Sequence, residues 1–467
     1  MKFSGREEEL KLLEEKYRSR KSELVVIYGR RRVGKSALVE HFLQSKKLVY
    51  RFEGLENEKN SVQIEEFIRE ISTQLKDQFL MQTKFQSWSE VFEFLTQRVF
   101  SQAGRKVLFL DEFQWMATGH SKVVSLLKSY WDRHWSKQDV MLILCGSVAS
   151  FMINKVINSK ALYGRINSQI LLKQLAPSVA VKFFKSKRSK EEILLYLMLF
   201  GGIPKYLEEI DLNQSIKQNI NALCFNPRGF LFNEADKIFY NQFRETKIYI
   251  RIVKLLKDQA CTFNEVSQKL QIISGGGLKL YLSNLEQAEI IRSYTSYDMS
   301  QNSKFRKYRL SDEYLIFYYK FIEPNLEHIS ESNSKNLFST LVEKTWGPWL
   351  GFSFERFCLK NAYYLAEKMK FLDEVLSAAP FYGQGDSKFQ IDLIYKRSDK
   401  VLTVCEIKYH DSPIGSKIIP EFERKLALLD KPKGFTIEKA LISLYGVDRS
   451  LKEAEYFNHI LTLEDIL

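Results

Sequence analysis

The segment that most constrains this chain is Gly29-Arg30-Arg31-Arg32-Val33-Gly34-Lys35-Ser36, which fits the pattern GxxxxGK[ST]. It follows an apolar run at 24–28 that predicts a buried strand, and it precedes a predicted helix at 37–43. Glycines at both ends allow backbone N–H groups to turn inward on phosphate oxygens, and the helix start adds positive potential. The eight residues therefore predict an ATP-binding loop, with Lys35 on the β- and γ-phosphates and Ser36 on Mg²⁺.

A second apolar run, at 107–110, ends in two carboxylates, Asp111 and Glu112. A buried parallel strand places the residues that follow it at the carboxyl edge of the sheet, where nucleotides bind. We expect Asp111 to face the bound Mg²⁺ and Glu112 to polarise the attacking water. Acidic residues after a strand are common turn formers, but together with the loop at 29–36 they predict ATP binding and hydrolysis.

The first 230 residues alternate apolar runs with stretches of helical spacing. The runs at 24–28, 47–52, 107–110 and 141–145 are continuous, which is typical of a parallel sheet covered on both faces. Residues 171–226 look wholly helical. The predicted fold class of residues 1–230 is therefore α/β, a P-loop parallel sheet with a helical lid.

Residues 237–324 predict a winged-helix domain. Helical stretches at 247–259, at 263–270 and after Gly275-Gly276-Gly277 precede a two-strand ribbon at 290–297 and 307–310, with a polar turn at 300–303. Basic residues outnumber acidic ones by 14 to 8 between 237 and 320. Those on the predicted wing are Lys304, Arg306, Lys307 and Arg309, and Lys279 lies on the third helix. Either the domain binds the backbone of duplex DNA, or it docks a protein partner and the wing is merely solvated.

Residues 337–467 predict a small α/β domain after a polar connector at 325–336. A long helix at 341–369 carries Glu355, and strands are expected at 389–395, 402–408 and 439–445. Residues two apart on a strand share one face, so Glu406 and Lys408 point the same way, and an adjacent strand can bring Asp392 beside them. Two such carboxylates would hold Mg²⁺, and Lys408 would orient a water or steady a cleaved phosphate.

Bulk composition narrows the class of protein. The net charge of +13, with a pI near 9.2, favours polyanionic partners such as nucleic acid. Five scattered cysteines exclude a zinc knuckle and argue against a disulfide framework, as in a reducing compartment. The charged first ten residues are unlike a signal peptide, and the longest apolar stretch, at 193–200, is too short to span a bilayer. The sequence therefore predicts a cytoplasmic protein with no membrane partner.

Several motifs in order resemble the archaeal-type ATPase family, a P-loop group near the AAA+ and signal-transducing ATPases. They are Phe3-Ser4-Gly5-Arg6-Glu7, YGRRRVGKS at 28–36, LFLDEFQW at 108–115, CGS at 145–147, LYGR at 162–165 and GGIPKYL at 201–207. The resemblance implies that Ser147 is a polar sensor near the γ-phosphate. It also implies that Arg165 stabilises γ-phosphate charge in its own subunit or in a neighbour of a homo-oligomer. The alternatives are a strand cap for Ser147 and a surface salt bridge for Arg165.

The same resemblance gives two further expectations. The turn at 202–204 resembles a lid motif near the nucleotide, and residues 3–6 border the base. At the C-terminus, Asp392, Glu406 and Lys408 resemble the core of the PD-(D/E)xK nuclease superfamily, and Glu355 resembles its helical acid. Gln390, two positions before Asp392, stands where the superfamily often has an acidic residue. This difference concerns the outer shell of metal ligands. The implied domain is restriction-endonuclease-like, and the alternatives are a degenerate binding domain or an unrelated sheet.

The leading hypothesis joins these parts into one function. ATP binding would close the lid and reposition the winged helix, which would control a metal-dependent DNA nuclease. The alternative is a regulatory switch that binds ATP and a protein partner, with the nuclease-like fold serving only for docking. A transporter-like or metabolic P-loop enzyme is a third class, for which the sequence offers no small-molecule motif.

Overall fold

The computed structural model describes residues 3–117, 121–243, 245–299, 303–383 and 389–467. The chain folds as two compact units, Met1–Lys173 and Gln174–Leu467. Each unit is built around its own sheet core, so each is described by itself. The predicted domain limits 1–230, 237–324 and 337–467 stay predictions.

The first unit contains one five-stranded parallel sheet. Its strands are β1 (Glu23–Tyr28), β2 (Leu48–Glu53), β3 (Lys106–Asp111), β4 (Val140–Gly146) and β5 (Ser168–Leu171), in the spatial order β2-β3-β4-β1-β5. All residues of β3 and β4 are buried, as expected for parallel strands that helices cover on both faces. The prediction of a parallel α/β sheet is confirmed.

Helices of the first unit cover this sheet and supply most of its aromatic core. They are Glu7–Arg18, Lys35–Leu43, Asn60–Leu75, Leu80–Gln82, Trp88–Phe94, Leu95–Phe100, Phe113–Met116, Val123–Arg133, Trp135–Lys137, Ala149–Phe151 and Met152–Ile157. Phe67, Trp88, Phe92 and Trp135 pack edge to face or tilted within one cluster. Aromatic contacts of this kind bury large areas and fix the helices against the sheet.

The fifth strand corrects the prediction that residues 171–226 are wholly helical. Residue 171 ends β5, which pairs in parallel with β1 from Val25↔Ser168 to Tyr28↔Leu171. Only Ile170 of this four-residue edge strand is buried. A strand so short and so polar leaves no apolar run, and so the sequence pattern missed it.

The second unit begins with a helical region and continues with three helices and a small antiparallel sheet. The first helices are Pro177–Ala180, Val181–Phe184, Lys190–Phe200, Pro204–Glu208, Ile216–Cys224 and Glu234–Gln242. Thr246–Asp258, Phe263–Leu270 and Gly276–Gln287 follow, with β6 (Cys261–Thr262), β7 (Ile291–Tyr294) and β8 (Lys307–Leu310). The order β6-β8-β7 adds one strand to the predicted two-strand ribbon. Residues 300–302 of the predicted turn lie outside the described residues.

The C-terminal part of the second unit contains a five-stranded mixed sheet. Its strands are β9 (Val375–Gly383), β10 (Phe389–Arg397), β11 (Val401–Lys408), β12 (Thr436–Ser443) and β13 (His459–Leu461), in the order β13-β12-β11-β10-β9. The pairs β9–β10 and β10–β11 are antiparallel, and β11–β12 and β12–β13 are parallel. The predicted separate α/β module is confirmed as a mixed-sheet domain, with β9 and β13 added to the expected strands.

Helices surround this second sheet. They are Glu313–Phe317, Tyr318–Ile322, Glu323–Asn325, Leu326–Glu331, Leu337–Leu341, Glu343–Lys360, Ala362–Lys368, Leu372–Glu374, Ile418–Ala427, Arg449–Glu453 and Leu463–Ile466. Two predictions need correction. The connector at 325–336 contains the helix Leu326–Glu331, which buries Ile329 although most of its other positions are polar. The helix expected at 341–369 is interrupted at Asn361, which separates two helices.

Two predictions from composition have structural counterparts. All five cysteines are buried and free, and the sequence analysis argued against a disulfide framework. Across the described ranges, every helix is too short or too polar to cross a membrane.

Candidate functional sites

The loop at 29–36 adopts a conformation that its glycines make possible. Gly29 has φ 149° and Gly34 has φ 90°, both in the region that favours glycine. A Cβ atom on Gly29 would collide with the carbonyl oxygen of Leu172. The helix Lys35–Leu43 begins directly after Gly34, so its first N–H groups and the loop amides lie together at the carboxyl end of β1. This is the backbone arrangement that phosphate binding requires.

Within the loop, side chains divide into inward and outward groups. Val33 is fully buried, so only its backbone is available to a ligand, whereas Arg31 is exposed. Lys35 is 6% exposed, and its Nζ donates to the carbonyl oxygen of Arg30 at 2.9 Å. Ser36, half-buried, follows it on the helix. Among the described residues Lys35 forms no ion pair, so its charge is available to a phosphate.

The acidic pair lies at the same edge of the sheet. Asp111 ends β3, and its Oδ1 accepts a hydrogen bond from the Glu112 amide at 2.8 Å. Burial raises the pKa of the Cys145 thiol on β4; the negative charge of Asp111 raises it further, and the positive charge of Lys35 lowers it. Because β4 lies between β1 and β3, Lys35 after β1 and Asp111 at the end of β3 stand on either side of the end of β4, at the same edge of the sheet.

Glu112 is held by residues that follow β4 and β3. Its Oε2 accepts hydrogen bonds from the Ser147 hydroxyl at 2.6 Å, from the Ser147 amide at 3.3 Å, and from Gln114. Glu112 itself has φ 44°, a left-handed conformation that is uncommon for a residue with a side chain. Since β4 lies between β1 and β3, Ser147 stands between the loop and the acidic pair. Its predicted role as a γ-phosphate sensor stays a prediction.

A further carboxylate, Glu53, was missed by the sequence analysis. It ends β2 in register with Asp111. Burial raises the pKa of Glu53, and the nearby charges of Asp111 and Glu112 raise it further. Glu53, Asp111 and Glu112 therefore give this sheet edge three carboxylates, of which Asp111 and Glu112 lie next to Ser147. Alignment of the ends of β2 and β3 could have indicated Glu53, but sequence alone does not give strand order.

Arg165 is engaged in a surface ion pair. Its Nε and Nη2 donate to the two carboxylate oxygens of Asp132 at 2.6 and 2.8 Å, and its Nη1 donates to the Tyr163 carbonyl at 2.9 Å. The guanidinium lowers the pKa of Asp132 to about 2. The arrangement matches the surface salt bridge that was the alternative to γ-phosphate recognition. A role at the nucleotide therefore requires this pair to open, and it stays a prediction.

The N-terminal segment contacts the loop, as its predicted place beside the base requires. The Phe3 ring stacks on His41 of the helix Lys35–Leu43, with ring centroids 4.4 Å apart. Arg6 donates to the Val33 carbonyl at 3.1 Å and also to the Lys173 carbonyl. The turn at 202–204 belongs to the second unit, where the Gly202 carbonyl accepts from the Leu175 amide at 2.8 Å. Its placement near a nucleotide stays a prediction.

In the second unit, Glu406 is surrounded by lysines. Glu406 is 1% exposed on β11, and its Oε1 lies 2.7 Å from Lys408 Nζ. Both of its oxygens accept hydrogen bonds from Lys425 Nζ at 2.9 Å. Lys425, from the helix Ile418–Ala427, was missed by the sequence analysis. Its place on the apolar face of that helix, one turn after the buried Phe422, was the available signal for a buried partner.

Asp392 and Glu355 complete the cluster. Burial, then the charges of Glu406 and Glu355, raises the pKa of Asp392 to about 7, and Asp392 Oδ2 accepts from the Ile407 amide at 2.9 Å. Glu355 Oε1 accepts from Gln390 at 3.0 Å. Within the described ranges no three His, Cys, Asp or Glu side chains are arranged to hold a metal ion. The predicted residues are therefore neighbours without forming a ready three-carboxylate site, because two lysines compensate Glu406.

The four basic residues of the predicted wing do not act alike. Lys304 is exposed, and Arg306 is ion-paired with Glu286 at 3.2 Å. Lys307 lies over the Tyr382 ring of β9, 5.3 Å from its centroid. Arg309 lies over the Tyr294 ring, 5.5 Å from its centroid. Strand alternation turns Lys307 and Arg309 of β8 toward the C-terminal domain, and the predicted contact of the wing with duplex DNA stays a prediction.

The fold and loop geometry define the first unit as a P-loop ATPase-like, ATP-binding domain. Residues 3–210 match a family described as an ATPase domain predominantly from Archaea, and residues 318–419 match archaeal and bacterial proteins of unknown function. Residues 3–210 of this chain are therefore similar to that ATPase domain. The match at 318–419 carries no stated activity.

Proteins similar to this chain are found in archaea. An uncharacterized protein of Methanocaldococcus jannaschii is 29% identical over 412 residues, which cover 88% of each chain. An uncharacterized ATP-binding protein of the same organism is 50% identical over 46 residues, covering 10% of this chain and 78% of its own. The Walker-type ATPase of Pyrococcus abyssi aligns with a TM-score of 0.51 at 20% identity, covering 68% of this chain and 96% of that structure. This last likeness supports the fold.

Proposed function

We propose that the first unit hydrolyses ATP. The observation that supports the proposal is the sheet order β3-β4-β1, in which Asp111 at the end of β3 and Lys35 directly after the β1 loop lie at the same edge of the sheet. Lys35 and the loop amides would bind the β- and γ-phosphates. Ser36 and Asp111 would hold Mg²⁺, which neutralises charge on the transferring phosphoryl group when bound. Glu112, oriented by Ser147, would accept hydrogen bonding from the attacking water.

Nucleotide binding is tested by Lys35→Ala, with Lys47→Ala as a control. Lys47 is an exposed lysine close to the C-terminal end of the same helix. We expect Lys35→Ala to weaken ATP binding by about 10²-fold or more, because the lysine contacts two charged phosphates. Lys47→Ala should bind like the unaltered protein. Equal ATP affinity of the two variants, measured by calorimetry, would refute the assignment of the loop.

The role of Arg165 is a separate part of the proposal. Opening of the Arg165–Asp132 pair would let the guanidinium reach γ-phosphate charge in its own subunit or in a neighbouring one. We expect Arg165→Ala to slow ATP turnover by about 10³-fold or more if it contacts that charge. Asp132→Ala should leave turnover intact. Equal turnover in both variants would assign Arg165 to a structural ion pair.

We further propose that the ATP state controls nucleic-acid cleavage by the C-terminal domain. The support is the close grouping of Asp392 with Glu406, and of Glu406 with Lys408. Asp392 and Glu406, assisted by Glu355, would bind a divalent metal, which supplies charge stabilisation and an activated water when bound. Lys408, 39% exposed at the side chain, would release Glu406 and contact the phosphate being cleaved.

A metal-dependent cleavage assay tests this second part. Purified protein with Mg²⁺ or Mn²⁺ should nick DNA at rates that differ with and without ATP, and Asp392→Ala or Lys408→Ala should remove the nicking while ATP turnover stays. The alternative is a regulatory switch, in which the protein binds ATP and a protein partner and the C-terminal domain is inactive. Absence of cleavage on every DNA and RNA tested would favour that switch.

A further inference from the structure

One face of the β7–β8 ribbon is strongly basic. Arg292 pairs with Arg309 and Tyr294 with Lys307, so these four residues stand directly opposite one another across the two strands. Residues two apart on a strand share one face, so all four side chains lie on the same side of the ribbon. Three of the four are cationic, and the fourth is an aromatic ring that supports Arg309.

This basic face packs on the C-terminal domain. Arg292 Nη1 donates to the Lys360 carbonyl, at the end of the helix Glu343–Lys360, at 2.6 Å. Lys307 lies over the ring of Tyr382 on β9. The helix that receives Arg292 also carries Arg356, one turn earlier, next to Glu355 of the carboxylate cluster. The ribbon thus brings its cations to the border of that cluster.

The positive charge here exceeds the negative charge that faces it. Within the part of the chain that the structure describes, the Arg309 side chain donates no hydrogen bond and forms no ion pair, and the Arg356 side chain donates to the Lys257 carbonyl at 2.9 Å. Burial, and then the charge of Arg309, lowers the pKa of Arg356. The carboxylates that act on these two arginines are Glu355 and Asp258, whereas Arg292 is a third cation that acts on Arg309.

Two half-buried guanidinium groups that repel each other form an incomplete arrangement, because guanidinium donors away from water need acceptors. A phosphate offers oxygens that match the planar fork of arginine. Tyr382, 40% exposed, keeps the position open to solvent and gives a nucleotide base a ring on which to stack. An acidic peptide would supply no base for Tyr382.

We propose that Arg309 and Arg356 bind a backbone phosphate of a nucleic-acid strand whose neighbouring phosphate lies at Asp392, Glu406 and Lys408. This proposal rests on the proposed nuclease function and adds a binding site for the strand to be cleaved. The winged-helix ribbon would then bind the substrate inside the C-terminal site rather than a separate duplex outside it. Arg309 is a binding residue here, contributed by β8 to a site otherwise made by the helix Glu343–Lys360 and the mixed sheet.

The test is binding of a fluorescent single-stranded 20-nucleotide DNA to the full chain in EDTA, followed by anisotropy over a range of salt. Arg309→Gln and Arg356→Gln should each weaken binding about tenfold, because each removes a charge-assisted contact. Each should also reduce the slope of log affinity against log salt by about 0.7. Arg309→Lys should restore most of the slope. Thermal melting of each variant separates lost binding from lost folding.

Lys400→Gln is the matched control, since Lys400 is exposed in the β10–β11 turn, at the opposite end of these strands from Asp392 and Glu406. It should leave affinity and slope unchanged. If the unaltered chain binds DNA and Arg309→Gln binds it equally well, the phosphate site is wrong while the nuclease proposal stands. If the unaltered chain binds no DNA, both fail. If an acidic peptide or inorganic phosphate displaced the fluorescent DNA while unlabelled DNA did not, the phosphate site would also be wrong.

Discussion

The two carboxylate sites of this chain treat their charges in opposite ways. In the first unit Lys35 donates to a backbone carbonyl, and the Oδ1 of Asp111 accepts from a backbone amide. In the second unit the buried Glu406 is paired directly with Lys408 and Lys425. The nucleotide loop keeps its ammonium for a ligand, whereas the C-terminal cluster compensates its own charge.

The difference follows from where the atoms come from along the chain. The nucleotide loop is eight consecutive residues, and backbone groups within it satisfy one another without using the lysine charge. The C-terminal cluster collects residues from two strands and two helices into a buried place, where an unpaired carboxylate is costly. Lysines are therefore needed there for folding. In the first site the charge of Lys35 is available to bind an anion. In the second site Glu406 must lose a lysine partner before it can bind a metal ion.

The largest expected effect is on the rate of ATP turnover. It tests whether the acidic pair of the first unit, which no lysine compensates, catalyses ATP hydrolysis. Glu112→Gln should slow ATP turnover by about 10²–10⁴-fold and leave ATP affinity unchanged, because glutamine keeps the shape but accepts no proton. Steady-state ATPase rates and nucleotide binding would measure this. Glu58→Gln, at an exposed carboxylate of the same unit, is the control and should change turnover by about twofold or less. Equal rates for both variants would contradict the role of Glu112.

The compensated site should respond through stability instead. Lys425→Met should lower the free energy of unfolding by about 3–5 kcal/mol, because it leaves the buried Glu406 carboxylate with less compensation. Urea unfolding followed by circular dichroism measures the change. Lys408→Met, at a 39% exposed side chain, should cost about 1 kcal/mol or less. Adding Glu406→Leu to Lys425→Met should recover much of the loss, and no recovery would argue against charge compensation.

The pH dependence of stability sharpens the contrast further. The pKa of Asp392 is raised from 3.8 to about 7, so between these values the folded chain holds a proton that the unfolded chain has released. Stability contributed by this group is complete below pH 4 and is lost as pH rises toward 7. Asp392→Asn should remove this loss, worth about 1–4 kcal/mol between pH 4 and 7. Asp373→Asn, at an exposed residue, should retain the profile of the unaltered protein.

The smallest effect is expected at the surface of the first unit. Asp132→Asn breaks the two-pronged pair with Arg165, whose side chains are 28% and 32% exposed. Because solvent screens such pairs, the free energy of unfolding should fall by about 1 kcal/mol or less in urea titrations. A loss near that of Lys425→Met would show that exposed and buried pairs do not differ in this chain as proposed.

Sequence pattern predicted most of the first unit because its signals are local. Continuous apolar runs correspond to β1 to β4, and the loop at 29–36 lies between a strand and a helix as its glycines require. The helix Phe263–Leu270 and strand β8 were predicted at their observed limits. The sequence pattern did not predict short or polar elements, among them β5 and the helix Leu326–Glu331, because four to six residues carry too little periodicity.

The sequence by itself determined the nucleotide loop and the acidic pair, since a turn of amides and the residue after a buried strand depend on neighbours along the chain. Only the tertiary structure decided which charges meet at long range. It paired Glu406 with Lys425, tied Arg165 to Asp132, and turned Arg309 toward Glu355. Strand order and helix packing set those distances, and electrostatic energy depends on distance and burial rather than on position in the chain.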